Sequence, residues 1–280
     1  MTGTTVPKIA AFGLSDTGKV REDNQDALKL CEEDEPTTSD FGYVFAIADG
    51  MGGYSHGGIA SATALSAFFG RVYSGNPGQV DQRMRKAIQE ANVGVYQQAV
   101  RLGVRRMGTT LTAVSILGNR MVVGHVGDSR AYLVRDGEAR CITNDHTAVG
   151  DLVRMRVLSP DKVRHHAQRS VLNRCLGLEL FVQPDISQVS LEPGDVIILC
   201  TDGVWSVIED HEFGQLVTDK SDLETVTRSV IALALERDTD DNVSAVAIHA
   251  EELGAEPVTA RVRRSFGFPA FLRSNAADKS

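Results

Sequence analysis

The chain has 280 residues, 42% hydrophobic and 24% charged, with a formal net charge of −8. Such a balance fits a globular protein with a sizeable core, as one large domain or two small ones. It excludes a membrane-spanning helix, because no apolar run approaches the roughly 18 residues one needs, and it argues against nucleic acid as the main partner, which calls for a basic field.

Near the amino end, Asp23-Asn24-Gln25-Asp26 leads into the run Ala27-Leu28-Lys29-Leu30. No cationic region followed by a long apolar one precedes it, so no signal peptide is expected. The cysteines Cys31, Cys141, Cys175 and Cys200 are scattered without CxxC spacing and read as reduced thiols of a cytoplasmic protein. YVFAIA (43–48) reads as a buried strand that runs straight into Asp49-Gly50. Residues 58–73 are alanine-rich and free of breakers between Gly58 and Gly70, which predicts a helix. Residues 81–102 place Met84, Ala87, Ile88, Ala91, Val95, Ala99 and Leu102 on one helical stripe.

Two hairpins follow. TLTAVSIL (110–117) and RMVVGHV (120–126) flank Gly118-Asn119, and RAYLVR (130–135) and ARCIT (139–143) flank Asp136-Gly137. Between them, VVGHVG leads to Asp128. Residues 144–178 read as helical and locally basic, with six Lys/Arg against two acids between Asp151 and Arg174, and with Ser159-Pro160 as a helix start. This stretch is either a solvated helical insertion or a flap facing an anionic substrate. Strands are predicted at 186–191, at 195–200 running into Asp202-Gly203, and at 242–249 after Asp240-Asp241. Ser221-Asp222-Leu223-Glu224 predicts a capping box opening a helix to about Arg237. Hairpins interleaved with blocks of long helix point to antiparallel sheets covered by helices rather than a doubly wound parallel fold. After about Ala250 the strand pattern stops.

One acid at a strand end is an ordinary turn residue. Five such sites can meet at one edge of a stacked-sheet fold. Two carboxylates about 5 Å apart repel by roughly 3 kcal/mol at an effective dielectric of 20. No lysine or arginine flanks Asp49, Asp202 or Asp241 in sequence to relieve that repulsion. Oxygen ligands without His or Cys at matched spacing select a hard cation such as Mg²⁺ or Mn²⁺. Glycine after the aspartate lets a backbone carbonyl approach as a ligand. The acids therefore read as a divalent-metal site.

With these residues in order, the chain resembles the metal-dependent serine/threonine protein phosphatases (PPM-type, also called type 2C) in their compact bacterial form, from about Ala10 to His249. The resemblance rests on Arg21-Glu22-Asp23-Asn24-Gln25-Asp26, Asp49-Gly50-Met51-Gly52-Gly53, Gly108-Thr109-Thr110, Val126-Gly127-Asp128-Ser129-Arg130, Thr201-Asp202-Gly203 and Asp241-Asn242-Val243-Ser244. Each motif is weak alone; six in sequence order make a specific signal. The resemblance implies an α+β fold: a four-layer α-β-β-α sandwich of two antiparallel sheets flanked by helix pairs, with a helical flap at about 144–178. It implies a catalytic domain over 1–250 and a flexible tail over 251–280.

By the same resemblance, Asp49 bridges two cations, Mn²⁺ or Mg²⁺, while Asp202 and Asp241 complete the first site. The carbonyl of Gly50 and, through water, Asp26 serve the second, and Asp128 with Asp202 holds a third, weaker metal. Arg21 matches the residue that grips the substrate phosphate, for which its planar fork is suited. The implied activity is hydrolysis of phosphoserine and phosphothreonine in proteins, targets of a kinase in the same cell, by direct attack of a metal-bridging hydroxide. A monomer is expected. Met51 stands where eukaryotic members often carry a histidine, as it does in many bacterial relatives, while Tyr54 and Gly58 depart from the bacterial pattern, so the proton donor is either metal-bound water or His56. Two other functions share this fold: a catalytically silent sensor or binding module, which tends to lose the acids present here, and a phosphatase of a small metabolite.

Overall fold

The computed structural model describes residues 7–31, 41–51, 56–104, 106–217, 219–220 and 222–254. From the amino end, β1 (Lys8–Asp16), β2 (Asp26–Leu30) and β3 (Tyr43–Met51) precede two long helices, α1 (His56–Val72) and α2 (Val80–Leu102). The short β4 (Gly108–Thr109) leads into β5 (Leu111–Leu117), β6 (Arg120–Val126), β7 (Arg130–Arg135) and β8 (Glu138–Cys141). After α3 (Ala148–Arg154) and a single 3-10 turn at Pro160–Lys162 come β9 (Asp185–Ser190) and β10 (Val196–Cys200). The helices α4 (Asp202–Trp205), α5 (Asp210–Leu216) and α6 (Leu223–Glu236) precede β11 (Val243–Glu252).

The strands form two antiparallel sheets. One runs β1-β11-β10-β7-β8; the other runs β2-β3-β5-β6-β9, with β4 beside β3. Side-chain alternation explains why the central strands read as unbroken apolar runs. In β3, Val44, Ala46 and Ala48 face the core under α1 and α2, whereas Phe45 and Ile47 face the core between the sheets. In β10, Ile197 and Leu199 enter that inter-sheet core, while Val196, Ile198 and Cys200 face the core beneath α6. Helices on both outer faces thus complete the four layers expected from the sequence. No described helix is long and apolar enough to cross a membrane.

The hairpins form where predicted. Leu117 pairs with Arg120 around Gly118, whose φ is 64°, and Arg135 pairs with Glu138 around Asp136 and Gly137, with φ of 51° and 80°, the two positive values a primed turn requires. Gly124 is another requirement of packing: a Cβ there would lie 2.5 Å from Met84 Cγ, so its absence lets α2 settle on β6.

Three expectations shift. The helix start is Asp222, whose side chain accepts from Thr225 N at 2.9 Å, rather than Ser221, which lies outside the described residues. In 144–178 the helix is confined to α3 and the 3-10 turn. Arg156, with φ of 58°, interrupts the helix after α3, while Ser159 and Pro160 do start a helical turn as predicted, though it lasts only to Lys162. β11 runs to Glu252, three residues past the predicted strand end at 249; of the tail, 255–280 lies outside the described residues.

Candidate metal centre

Alternation along β3 continues past Ala48, so Asp49 shares the inter-sheet face with Phe45 and Ile47. Asp26, the first residue of β2, stands opposite it in register. From the other sheet, Asp202 opens α4 directly after β10, and Asp241 sits in the turn that enters β11. Asp128, buried at 3% exposure, lies where the chain crosses from β6 in one sheet to β7 in the other. One pocket of about 280 Å³ is lined by Arg21, Asp49, Gly50, Asp128, Asp202 and Asp241, together with Gln25, Met51, Thr110, Ser170, Leu172 and Asn242. Asp26 does not line it but supports its wall.

Hydroxyls and amides fix this arrangement. Asp26 Oδ2 accepts from Thr201 Oγ1 at 2.9 Å and Ser244 Oγ at 2.6 Å, both from the opposite sheet. Asp49 N donates to Thr110 Oγ1 at 2.9 Å, and its carbonyl accepts from Thr109 Oγ1 at 2.8 Å. Thr110 Oγ1 in turn lies 2.7 Å from Ser129 Oγ. Trp205 Nε1 donates to the Asp128 carbonyl at 2.8 Å, under the Arg130 guanidinium stacked 3.7 Å from the ring centroid. Asn242 ties the turn before β11 to the amino-terminal segment, donating to the carbonyls of Thr17 and Asp23 and accepting from Gln25 N. All of these side chains but Trp205 lie in the quoted motifs, yet composition and spacing gave them no role; only the pairing within and across the sheets reveals it.

The glycines after two of the acids are dictated by contact. A Cβ on Gly50 would come 2.0 Å from the Gly57 carbonyl oxygen, and one on Gly203 would come 2.0 Å from that of Asn242. Each Asp-Gly pair is therefore a place where two backbones touch.

Gathering the acids changes their protonation. Burial pushes the Asp49 carboxyl well above the usual range, and Asp26, Asp202, Asp128 and Asp241 add to the shift. Asp26 rises to about 7, through burial first and against the opposing hydrogen bonds of Ser244 and Thr201. Asp202 rises to about 6 through burial and Asp241, partly offset by a hydrogen bond with Asp49 and by Arg169 and Arg21. Burial likewise raises Asp128 and Asp241. The sequence showed no cation flanking these acids, but one arrives from afar: Arg21 Nη2 lies 2.8 Å from Asp241 Oδ2 and its Nε 3.0 Å from the Asp240 carbonyl. That partly exposed pair offsets little of the repulsion.

Among the described residues, no three His, Cys, Asp or Glu side chains stand in a ready-made ligand geometry; the acids share a pocket rather than a finished cage. Their chemistry still fits a hard cation. The donors are all oxygen, their repulsion is mutual, and Asp202 Oδ1 is buried with no hydrogen-bond partner among the described residues. A divalent ion would satisfy that oxygen and favour the ionised form of every carboxylate around it.

Half of the basic residues in 144–178 are engaged elsewhere. Arg154 pairs with Asp151, Arg164 with Asp210 and Glu209, and Arg174 with Asp185. Arg169 is the one whose charge lowers the carboxyl of Asp202.

A family model described as protein phosphatase 2C matches residues 19–243. Protein phosphatase PhpP of Streptococcus pneumoniae serotype 2 (strain D39 / NCTC 7466) is 29% identical over 246 residues, which cover 87% of this chain and 98% of that protein. The crystal structure of the serine/threonine phosphatase PstP/Ppp from Mycobacterium tuberculosis superposes with a TM-score of 0.78 at 30% identity, covering 88% of this chain and 100% of the other. The catalytic domain of serine/threonine protein phosphatase PstP, solved in complex with two manganese ions, gives a TM-score of 0.75 at 28% identity, over 87% and 99% of the two chains.

Proposed function

The chain belongs to the protein phosphatase 2C family, and from that membership we propose that it removes phosphate from phosphoserine and phosphothreonine in proteins, with the acid-lined pocket as its metal centre. The observation that carries this reading is the convergence of Asp49, Asp128, Asp202 and Asp241, from separate elements of both sheets, on one pocket that also holds Arg21. Two divalent ions are proposed, held by Asp49, Asp202 and Asp241 and by the Gly50 carbonyl, with Asp26 behind them and Asp128 available to a third. Manganese, which the PstP catalytic domain binds, is the proposed ion, with magnesium the alternative hard cation. Such ions, when bound, polarise phosphoryl oxygens and lower the pKa of a coordinated water.

The chain's own groups do the rest. Arg21, held at the pocket by Asp240 and Asp241, has N–H groups to offer two oxygens of a phosphate monoanion or dianion. Thr201, Ser244 and Thr110 keep Asp26 and Asp49 in place, as outer partners do in metal sites generally. The full set of acids does not favour a silent binding module.

The test is phosphate release from a phosphothreonine peptide. Activity with Mn²⁺ should vanish with EDTA and return when the ion is restored; no release under any of these conditions sinks the reading. Asp202→Asn should lower kcat more than about a hundredfold, beyond the loss typical of an outer partner, with the far-UV circular dichroism unchanged. Full activity in that variant removes Asp202 from the site.

A further inference from the structure

The metal pocket does not end at the acids. It shares Met51, Ser170 and Leu172 with a neighbouring groove of about 620 Å³, larger than the pocket itself. Beyond those shared residues the groove is lined by Val171, Cys175 and Leu178, by Gly108 and by Arg106. Val171 and Leu178 are 49% and 47% exposed, large apolar side chains facing water beside a polar centre. Gly108 keeps its floor low, since a Cβ there would lie 2.8 Å from the Leu176 carbonyl. Thr109 and Leu176 exchange backbone hydrogen bonds of 3.2 and 2.8 Å, which tie that floor to the segment carrying Val171, Cys175 and Leu178.

We propose that this groove seats a bulky aliphatic side chain of the phosphoprotein substrate, within two residues of the phosphorylated one. The proposal rests on the phosphoprotein reading above and adds a sequence preference to it. Continuity sets the occupant. An extended chain advances about 3.3 Å per residue, so with the phosphate at Arg21 and the acids, a side chain one or two residues away reaches the adjoining groove. Arg106, the charged residue of its lining, disfavours a lysine or arginine there. Apolar walls open to solvent give a moderate preference, smaller than full burial of a leucine.

Fluorescein-labelled phosphothreonine peptides carrying Leu, Ala or Lys at either of the two positions before or after the phosphoresidue test this. Binding is read by anisotropy with Mn²⁺ present, on matching peptides that carry a non-hydrolysable phosphonate in place of the phosphate, and turnover by phosphate release with Mn²⁺. At one of those positions Leu should bind about tenfold more tightly than Ala, about 1.4 kcal/mol, with Lys weakest, and kcat/KM should follow. Leu178→Asp should erase the leucine advantage while para-nitrophenyl phosphate hydrolysis stays unchanged; Val171→Asp reads the same property if Leu178→Asp does not fold. Equal binding of Leu and Ala peptides at every position overturns the proposal. So does a deletion of residues 255–280 that tightens all peptides alike without a leucine advantage, since the chain's own end is then the occupant. Leucine preference without turnover would leave the groove standing and sink the phosphatase reading; turnover without preference would do the reverse.

Discussion

Asp26 and Asp49 face each other across β2 and β3, a pairing in which like charges weaken a sheet. The fold tolerates it by supplying Thr201 and Ser244 to Asp26 and by retaining protons, since burial raises Asp26 to about 7. A carboxyl whose folded pKa lies above its unfolded value stabilises the protein below the unfolded pKa, near 3.8, and loses that contribution as pH rises through about 7. In chelator, Asp26→Asn should therefore melt at a higher temperature than the parent at pH 8, with the difference closing at pH 4. Equal melting at pH 8 would show that Asp26 carries no such burden. The acids themselves were legible, because an apolar run that ends on Asp-Gly sets a carboxylate at the rim of the core, where it needs a counter-charge. Their partners were not: Thr201, Ser244 and Thr110 are ordinary hydroxyl residues until register brings them across, and Arg21 lies 220 positions from Asp241.

At the scale of elements, the short helix α4 is fixed by a backbone contact as well as by the buried side chains of Val204 and Trp205. Gly203 touches the Asn242 carbonyl, and no flexible group stands ready to yield. Gly203→Ala should push α4 from the turn that carries Asp241, at a cost of about 1–3 kcal/mol, and should lower kcat as Asp202 and Asp241 separate. Unchanged melting and activity would refute that contact. The long helices α1 and α2 and both hairpins follow from periodicity and turn chemistry, which act locally. β1 is not legible in its own residues: Ala10, Ala11 and Gly13 give no strong alternation, and the strand exists because β11 pairs with it from Lys8 to Asp16. The 144–178 segment misleads for the converse reason. Its composition suits a helix, yet Arg164 is drawn to Asp210 and Glu209, contacts that only the folded chain provides.

Across the whole molecule, three apolar clusters stack as the layers do: one under α1 and α2, one between the sheets and one beneath α6. The acids close the open end of the middle layer, with Asp26 and Asp49 from one sheet and Asp202 and Asp241 from the other. A cation shared among them would clamp the sheets together. Saturating Mn²⁺ should raise the melting temperature by several degrees, as a ligand at a hundred times its Kd adds about 2.7 kcal/mol, and Asp202→Asn should show a much smaller rise; no shift in the parent would argue against metal in the pocket. The layered architecture was legible from hairpins and helix blocks, whereas the meeting of strand ends depended on topology that local patterns do not encode. The pairing of β1 with β11 has its own consequence. Asp16 lies opposite Val243 beside the acids, while Lys8 lies opposite Glu252 at the far end of nine residues, about 30 Å away. The polypeptide therefore lends itself to circular permutation: a short linker joining residues 7 and 254, with new termini cut at the exposed Gly75, should yield a rearranged chain that folds with every carboxylate in place.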